Sequence, residues 1–359
     1  VSDRREELHL RARPEPPEAV RKRREELRLR ARILVPGAPG QMTGGYLYDA
    51  WVAAGLSARG HDVAVLDLRA PATDEALAVF GTVVVVDELA HREYLARARR
   101  KPREFVALVH HLAAWEQADG RRSWLVGARE EAFLRRASAV VTTSARSGDR
   151  LFRYAPTVLP PVAEVGSAPR PSRPPQTAGS HAGCTFVAVG TITARKQLLP
   201  LVRAARAALS PDDRLLLIGE DRYEPAYAKA VYAEAAGDPR IVFLGILPRE
   251  ELLAHVAGAD ALFLVSSFEG YGMAAAEALA LGTPIVITTV VAEALGAAVR
   301  SGENAYVIEG VAQLAPVFSE LRTRPRAFAP PPELPQAGAV LDGWEQVLQR
   351  ASGKKRPRT

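Results

Sequence analysis

The sequence predicts an α/β chain of two doubly wound parallel-sheet domains. Three observations carry this prediction. Short apolar runs such as Thr82-Val-Val-Val-Val86, Phe105-Val-Ala-Leu-Val109, Leu215-Leu-Leu-Ile218 and Ile241-Val-Phe-Leu244 read as strands buried on both faces. They alternate with segments of helical periodicity, an order that gives crossover connections and a parallel sheet. One stretch rich in Pro, Ser, Gly, Arg and Ala, residues 164–183, interrupts the series and reads as a linker between domains.

A chain of 359 residues, 48% of them hydrophobic, is long enough to bury two cores. No apolar run reaches membrane-spanning length, and the N-terminus is charged rather than signal-like. The single cysteine, Cys184, excludes an internal disulfide framework and fits a cytoplasmic protein. With no second cysteine and no histidine cluster at ligand spacing, neither a metal site nor a cofactor is expected. The net charge of +6 belongs to the two ends: residues 1–32 hold 11 Lys/Arg against 7 Asp/Glu, and residues 350–359 hold five basic and no acidic residues. The body between them is net acidic, which argues against nucleic acid as a partner.

Residues 1–32 form a basic helical extension containing a repeat, Arg5-Glu-Glu-Leu-His-Leu-Arg-Ala-Arg13 and Arg24-Glu-Glu-Leu-Arg-Leu-Arg-Ala-Arg32, split by Pro14, Pro16 and Pro17. A solvated extension is the simpler reading; peripheral membrane contact through the basic segments is the alternative, at the inner membrane face. The first domain, residues 33–163, opens with the strand Ile33-Leu-Val35. Gly44 and Gly45 stand at the entrance of the next helix, which carries Leu47, Trp51, Val52 and Leu56 at helical spacing, and Val63-Ala-Val-Leu66 follows as a strand. The spacing is not Gly-x-Gly-x-x-Gly, so the dinucleotide fingerprint is absent. Strands at 82–86 and 105–109 come next, the second ending at His110 and His111, where a polar side chain faces the crevice. Arg92, Arg97, Arg99, Arg100, Lys101 and Arg103 read as a solvated helix face, and Ala139-Val-Val-Thr-Thr-Ser144 as a further strand with Ser144 at its mouth.

The second domain, residues 184–322, begins with the strand Thr185-Phe-Val-Ala-Val189 and the loop Gly190-Thr-Ile-Thr-Ala-Arg-Lys196. Arg195 and Lys196 stand at the end of a strand just before a helix, where two cations and free backbone N–H groups suit a diphosphate. Helices near 198–209, 224–236 and 249–257 separate the strands 215–218, 241–244 and 261–265. Residues 323–351 form a Pro-rich connection and a final helix with Trp344, Val347 and Leu348 on it, and 352–359 a basic tail.

The stretch Val265-Ser-Ser-Phe-Glu-Gly-Tyr-Gly-Met-Ala-Ala-Ala-Glu-Ala-Leu-Ala-Leu-Gly-Thr-Pro284 joins a strand, a glycine loop and an apolar helix. Glu269 lies in the loop and Glu277 in the helix, where a buried carboxylate needs partners; a ribose diol would supply them. The segment Glu269-Gly-Tyr-Gly-Met-Ala-Ala-Ala-Glu277 resembles the Glu-x7-Glu signature of retaining glycosyltransferases of family 4, whose GT-B fold is a pair of Rossmann-like domains. The resemblance extends with gaps from about Ile33 to Glu309. It implies that Glu269 faces the donor sugar, that Glu277 holds the nucleotide ribose, that Lys196 binds phosphate and that His110 lines the sugar site. It further implies that Gly44 and Gly45 let the backbone approach the donor, and that the loop with Ile246 and Leu247 reads the base through backbone groups. Gly190, Gly270, Tyr271, Gly272 and Met273 complete the donor set.

Two departures stand out. Thr191 replaces an arginine common in the family, leaving Arg195 to substitute for it. In the 289–299 loop Glu293 stands where a glycine is expected and Ala297 where a Glu is expected. The resemblance implies metal-independent hexosyl transfer, with retention, from a UDP- or GDP-sugar to a small-molecule, lipid or glycan acceptor. The chain contains no Asp-x-Asp, so positive charge from Arg195, Lys196 and a helix terminus would stabilise the leaving diphosphate. The alternative is a catalytically decayed GT-B protein that binds nucleotide sugars or serves as a scaffold.

Overall fold

The computed structural model describes residues 28–39, 43–98, 104–115, 120–166, 183–323 and 328–353, without the side chains of Ala98 and residues 120–125. The first half runs β1 (Arg30–Val35), α1 (Gly44–Ala58), β2 (Asp62–Asp67), α2 (Ala72–Ala78), β3 (Thr82–Asp87), α3 (His91–Ala98), β4 (Val106–Val109), α4 (Gly120–Leu134), β5 (Ala139–Thr142), α5 (Ala145–Arg150) and β6 (Thr157–Val158). The strands make one parallel sheet in the order β2-β1-β3-β4-β5-β6.

The second half runs β7 (Thr185–Val189), α6 (Leu198–Ala208), β8 (Arg214–Ile218), α7 (Pro225–Ala235), β9 (Ile241–Gly245), α8 (Arg249–Gly258), β10 (Ala261–Leu264), α9 (Met273–Leu281), β11 (Ile285–Thr288), α10 (Thr289–Leu295), β12 (Ala305–Ile308), α11 (Leu314–Leu321) and α12 (Ala337–Ala351). Its parallel sheet has the order β12-β11-β10-β7-β8-β9.

Both sheets are covered on both faces, and this is why their central strands are unbroken apolar runs. In β3 and β4, Val83, Val85, Val106 and Leu108 pack on one side with Val52 and Leu56 of α1. Val84, Val86, Ala107 and Val109 pack on the other with Tyr94 and Phe133. In the second domain Phe186 and Phe263 meet Leu201, Val231 and Phe318, while Val187, Leu262 and Leu264 meet Val256, Ala275 and Leu279. Helix α9 is apolar on nearly every side because β10, β11 and α8 surround it.

Helix α12 belongs to the first domain's core. Val340, Leu341, Trp344, Val347 and Leu348 are buried there with Tyr48 and Leu159. Trp344 Nε1 donates to the Tyr48 hydroxyl at 2.9 Å, and that hydroxyl donates to the Leu159 carbonyl at 2.7 Å. Two glycines make the approach close: a Cβ at Gly55 would come within 2.8 Å of Leu341, and one at Gly343 within 2.4 Å of Leu159.

Several expectations change. Arg30–Arg32, read as the end of a helical extension, are strand residues; Arg30 and Arg32 reach Asp62 on β2 at 2.7 and 2.9 Å, which fixes that register. The segment read as an altered loop at 289–299 is helical over Thr289–Leu295, followed by a turn at 296–298. Ser144 does not end a strand; its buried side chain caps α5 by accepting from Ser147 N at 3.2 Å. The short elements α2 and β6 have no strong sequence periodicity and add to the expected set. The repeat up to residue 27, the basic run 99–103, linker residues 167–182 and the tail 354–359 lie outside the described residues. Among the described residues no helix is long and apolar enough to cross a membrane.

Candidate functional site

In an open parallel sheet, ligands bind where the strand order reverses, because the loops after the two central strands diverge there and leave a crevice. In the second domain that point lies between β7 and β10, so the loops 190–197 and 265–272 open side by side. Ser267 N donates to the Arg195 carbonyl at 2.9 Å and ties them together. Lys196 Nζ lies 2.6 Å from Glu269 Oε1, and Arg195 Nη1 lies 3.4 Å from the same oxygen. Ser266 Oγ donates to it at 2.7 Å, and Arg195 Nη1 also donates to the Phe268 carbonyl at 3.0 Å. Burial alone would raise the Glu269 pKa, but Lys196, Arg195 and Ser266 outweigh it and hold it at about 2. Gly190 has φ 147°, and a Cβ there would stand 3.1 Å from Lys196 Cε. The glycine therefore leaves the lysine its path into the crevice.

Gly272, at φ 97°, opens α9, and Gly282, at φ 76°, closes it. Glu277 is buried within that helix and pairs with Arg249 at the start of α8, at 2.8 Å. Burial raises its pKa, with Arg249 opposing. Tyr271 is buried in the second core and Met273 is half-buried beside it. Ile246 and Leu247 follow β9, the edge strand two places from β7, and Ile246 is 59% exposed.

The first domain's reversal lies between β1 and β3, which puts Gly44, Gly45 and Asp87 at its crevice. The two domains touch here. A Cβ on Gly270 would fall 2.3 Å from the His110 carbonyl oxygen, and one on Gly44 would fall 3.3 Å from the Met273 sulfur. A Cβ on Gly45 would fall 3.2 Å from the His110 ring. His110 Nε2 is 3.2 Å from Asp49 Oδ1 and 3.6 Å from Asp87 Oδ2, and its backbone N–H donates to Glu88 at 2.8 Å. Asp49, Asp87 and Glu88 are all buried. Phe268 inserts between domains, with the His111 and Trp115 rings 5.7 and 5.9 Å away and the Arg146 and Arg150 guanidiniums each at 5.7 Å. Arg146 also pairs across the cleft with Glu293 at 2.6 Å.

The expected residues therefore fall into three groups. Lys196, Arg195, Glu269 and Gly190 come together; Gly44, Gly45, His110, Gly270 and Met273 come together across the cleft; Glu277 stands with Arg249 instead. Sequence reasoning missed Asp49, Asp87, Glu88, Arg249, Phe268 and Arg146. Asp87 carried a usable signal, an acid directly after a buried strand. The others are assembled by topology.

Residues 183–322 match the family model described as "Glycosyl transferases group 1". The chain is 30% identical over 261 residues to a 2-deoxystreptamine glucosyltransferase of Streptomyces kanamyceticus, a match covering 65% of each chain. It is 31% identical over 178 residues to a D-inositol 3-phosphate glycosyltransferase of Thermomonospora curvata, covering 45% of this chain and 40% of the relative. It thus spans less than two thirds of the length of either relative. Its fold is similar to that of sucrose-phosphate synthase from Thermosynechococcus elongatus, with TM-score 0.68, 18% identity and coverage of 91% of this chain and 97% of that one. It is also similar to the Anabaena HepE protein in complex with UDP-glucose, with TM-score 0.63, 14% identity and coverage of 90% and 95%.

Proposed function

We propose that this chain, whose residues 183–322 match the model "Glycosyl transferases group 1" and whose fold is similar to solved GT-B structures, transfers a sugar from a nucleotide diphosphate donor to an acceptor held in the cleft. The observation that carries the reading is the meeting of Lys196 and Arg195 with Glu269 at the sheet's reversal point. Glu269 pairs with both cations and offsets one of their two charges. A donor diphosphate offers them a second, stronger anion. Binding it would turn the cations towards the phosphates and free Glu269 for the sugar ring.

The chemical difficulty of the reaction is charge building on the departing diphosphate. Each preorganised cation or N–H donor aimed at that charge is worth about 2–4 kcal/mol. Lys196, Arg195 and the amino terminus of α9 are in this account the groups that do so, and no metal is called on. Glu277 would take the ribose hydroxyls, exchanging them for Arg249. Ile246 and Leu247 would meet the base, and His110, with Gly44 and Gly45 beside it, the sugar. Retention at the anomeric carbon follows from the resemblance to family 4 alone. A UDP-sugar is the first donor to try, because a structurally similar protein binds UDP-glucose.

Binding without transfer is the second reading. It is favoured by Glu293, which engages Arg146 of the opposite domain, and by Ala297, which leaves no carboxylate where the family has one. A panel of UDP-, GDP- and dTDP-sugars tested by thermal shift, then by donor hydrolysis, separates the two. A stabilising donor that is also slowly hydrolysed supports transfer. A stabilising donor never turned over supports binding alone, and no stabilisation by any donor contradicts both.

A further inference from the structure

The first domain holds a buried polar cluster of which the donor-site reading uses only the His110 ring. Asp49 projects from α1, Asp87 from the end of β3, and the His110 ring from the end of β4; both aspartates are fully buried. Asp87 Oδ1 accepts from Leu89 N at 2.6 Å, and Asp49 Oδ1 lies 3.2 Å from His110 Nε2. The remaining oxygens, Asp49 Oδ2 and Asp87 Oδ2, are buried with no hydrogen-bond partner among the described residues. His110 Nε2 stands 3.2 Å from Asp49 Oδ1 and 3.6 Å from Asp87 Oδ2, and an oxygen of each carboxyl lies within 4.8 Å of the other. Two facing carboxylates cannot satisfy each other, because both only accept. A single proton between them satisfies both orphaned oxygens at once and removes one of two buried negative charges.

We propose that Asp49 and Asp87 share one proton and together act as a positioning pair, a single anionic acceptor that keeps the proton of the His110 imidazole on Nε2 and leaves Nδ1 as a lone-pair acceptor for a hydroxyl of the donor sugar. The last clause rests on the donor-site reading; the shared proton does not. Burial raises the pKa of both aspartates to about 7 and lowers that of His110, which puts the proton between the carboxyls rather than on the ring. Glu88, the other buried acid beside the pair, is itself held well above the usual carboxylate range by burial and by the Asp87 charge. Glu88 accepts the backbone N–H groups of His110 and His111. Tyr46 donates to the Pro36 carbonyl and Tyr48 to the Leu159 carbonyl, so neither hydroxyl proton serves the pair. The Tyr48 and His110 rings lie nearly perpendicular, at 88°, with centroids 5.5 Å apart, and this contact helps to fix the imidazole plane.

The test is the protonation state of His110 in the full chain, read by long-range 1H–15N correlation on 15N-histidine-labelled protein near pH 7. The seven histidines are sorted by comparison with a His110→Gln sample. The expected pattern is a neutral ring, protonated at Nε2 and bare at Nδ1. Asp87→Asn should keep that pattern, because an amide N–H replaces the shared proton. The double variant Asp49→Asn/Asp87→Asn, having lost the anion, should let the two ring nitrogens exchange the proton. A doubly protonated ring, a ring protonated at Nδ1, or an Nε2 tautomer unchanged in the double variant would each overturn the proposal. The rival occupant of such a cluster is a divalent cation, since the three polar atoms lie within 4.8 Å of one another. A stoichiometric metal found by elemental analysis, with His110 resonances that move when it is chelated, would overturn it too. None of these readings needs turnover, so a failure of the glycosyl-transfer reading leaves the result intact.

Discussion

Lys196 Nζ and Glu269 Oε1 lie 2.6 Å apart, in a crevice where both side chains are nearly closed off from solvent. The pair comes from two loops separated by 73 residues, brought together because β7 and β10 are neighbours at the point where the strand order reverses. Arg195 and Ser266 share the Glu269 oxygen with Lys196, so the buried carboxylate is held by three partners.

Lys196→Ala is expected to lower kcat/KM for transfer by about 10²–10³-fold, the usual result of removing one preorganised cation from a developing anion. Arg195, 3.4 Å from Glu269, keeps that carboxylate partnered, so the variant should still fold. Steady-state kinetics and circular dichroism on the same sample check both halves.

Glu269 gives the protein an acid-sensitive element. Its folded-state pKa of about 2 lies below the ordinary value of 4.5, so its stabilising contribution is present in full above about pH 4.5 and is lost as the pH falls towards 2. The contribution is on the order of 3 kcal/mol. Asp49 and Asp87, with raised values near 7, bias the slope the opposite way, so the wild-type curve alone does not isolate Glu269. The difference between wild-type and Glu269→Gln stability, measured by urea unfolding from pH 6 to pH 2.5, should shrink as the pH falls.

Glu277→Gln should weaken donor binding by about 10–100-fold, the cost of losing hydrogen bonds to a charged acceptor. Calorimetric titration with the nucleoside diphosphate alone tests this without an acceptor. The apo melting temperature should move little, because Arg249 is part-exposed and returns to solvent.

Gly270→Ala should impair transfer at least tenfold while leaving each domain folded. The added Cβ would fall 2.3 Å from the His110 carbonyl oxygen, a backbone atom, so the domains must separate to admit it. Small-angle scattering should report a larger radius of gyration than for the wild type. An unchanged radius with full activity would show that the cleft does not close along this line.

Much of this was legible in the sequence, for identifiable reasons. Strands β3, β4, β7, β8 and β10 are buried on both faces, so their apolar runs are unmistakable, and the alternation with helices yields the parallel topology. Lys196, Glu269 and Glu277 stand out in the sequence by their contexts of strand, glycine loop and helix; the structure brings Lys196 to Glu269 and gives Glu277 to Arg249. Asp49 did not emerge, because its meaning depends on α1, β3 and β4 converging; Asp87 offered one signal, an acid ending a buried apolar run. Arg30–Arg32 looked like more of a basic repeat; only the register with Asp62 turns them into a strand. The helix at Thr289–Leu295 was hidden by reading its residues against a family loop rather than by their own helix-forming Ala, Glu and Leu.

The most direct test of the central claim is a crystal structure with the nucleotide sugar that gives the largest thermal shift. The diphosphate should lie against Lys196 and Arg195, the ribose on Glu277 in place of Arg249, and Glu269 should be released towards the sugar ring. A nucleotide lodged elsewhere, with Lys196 still paired to Glu269, would contradict the claim.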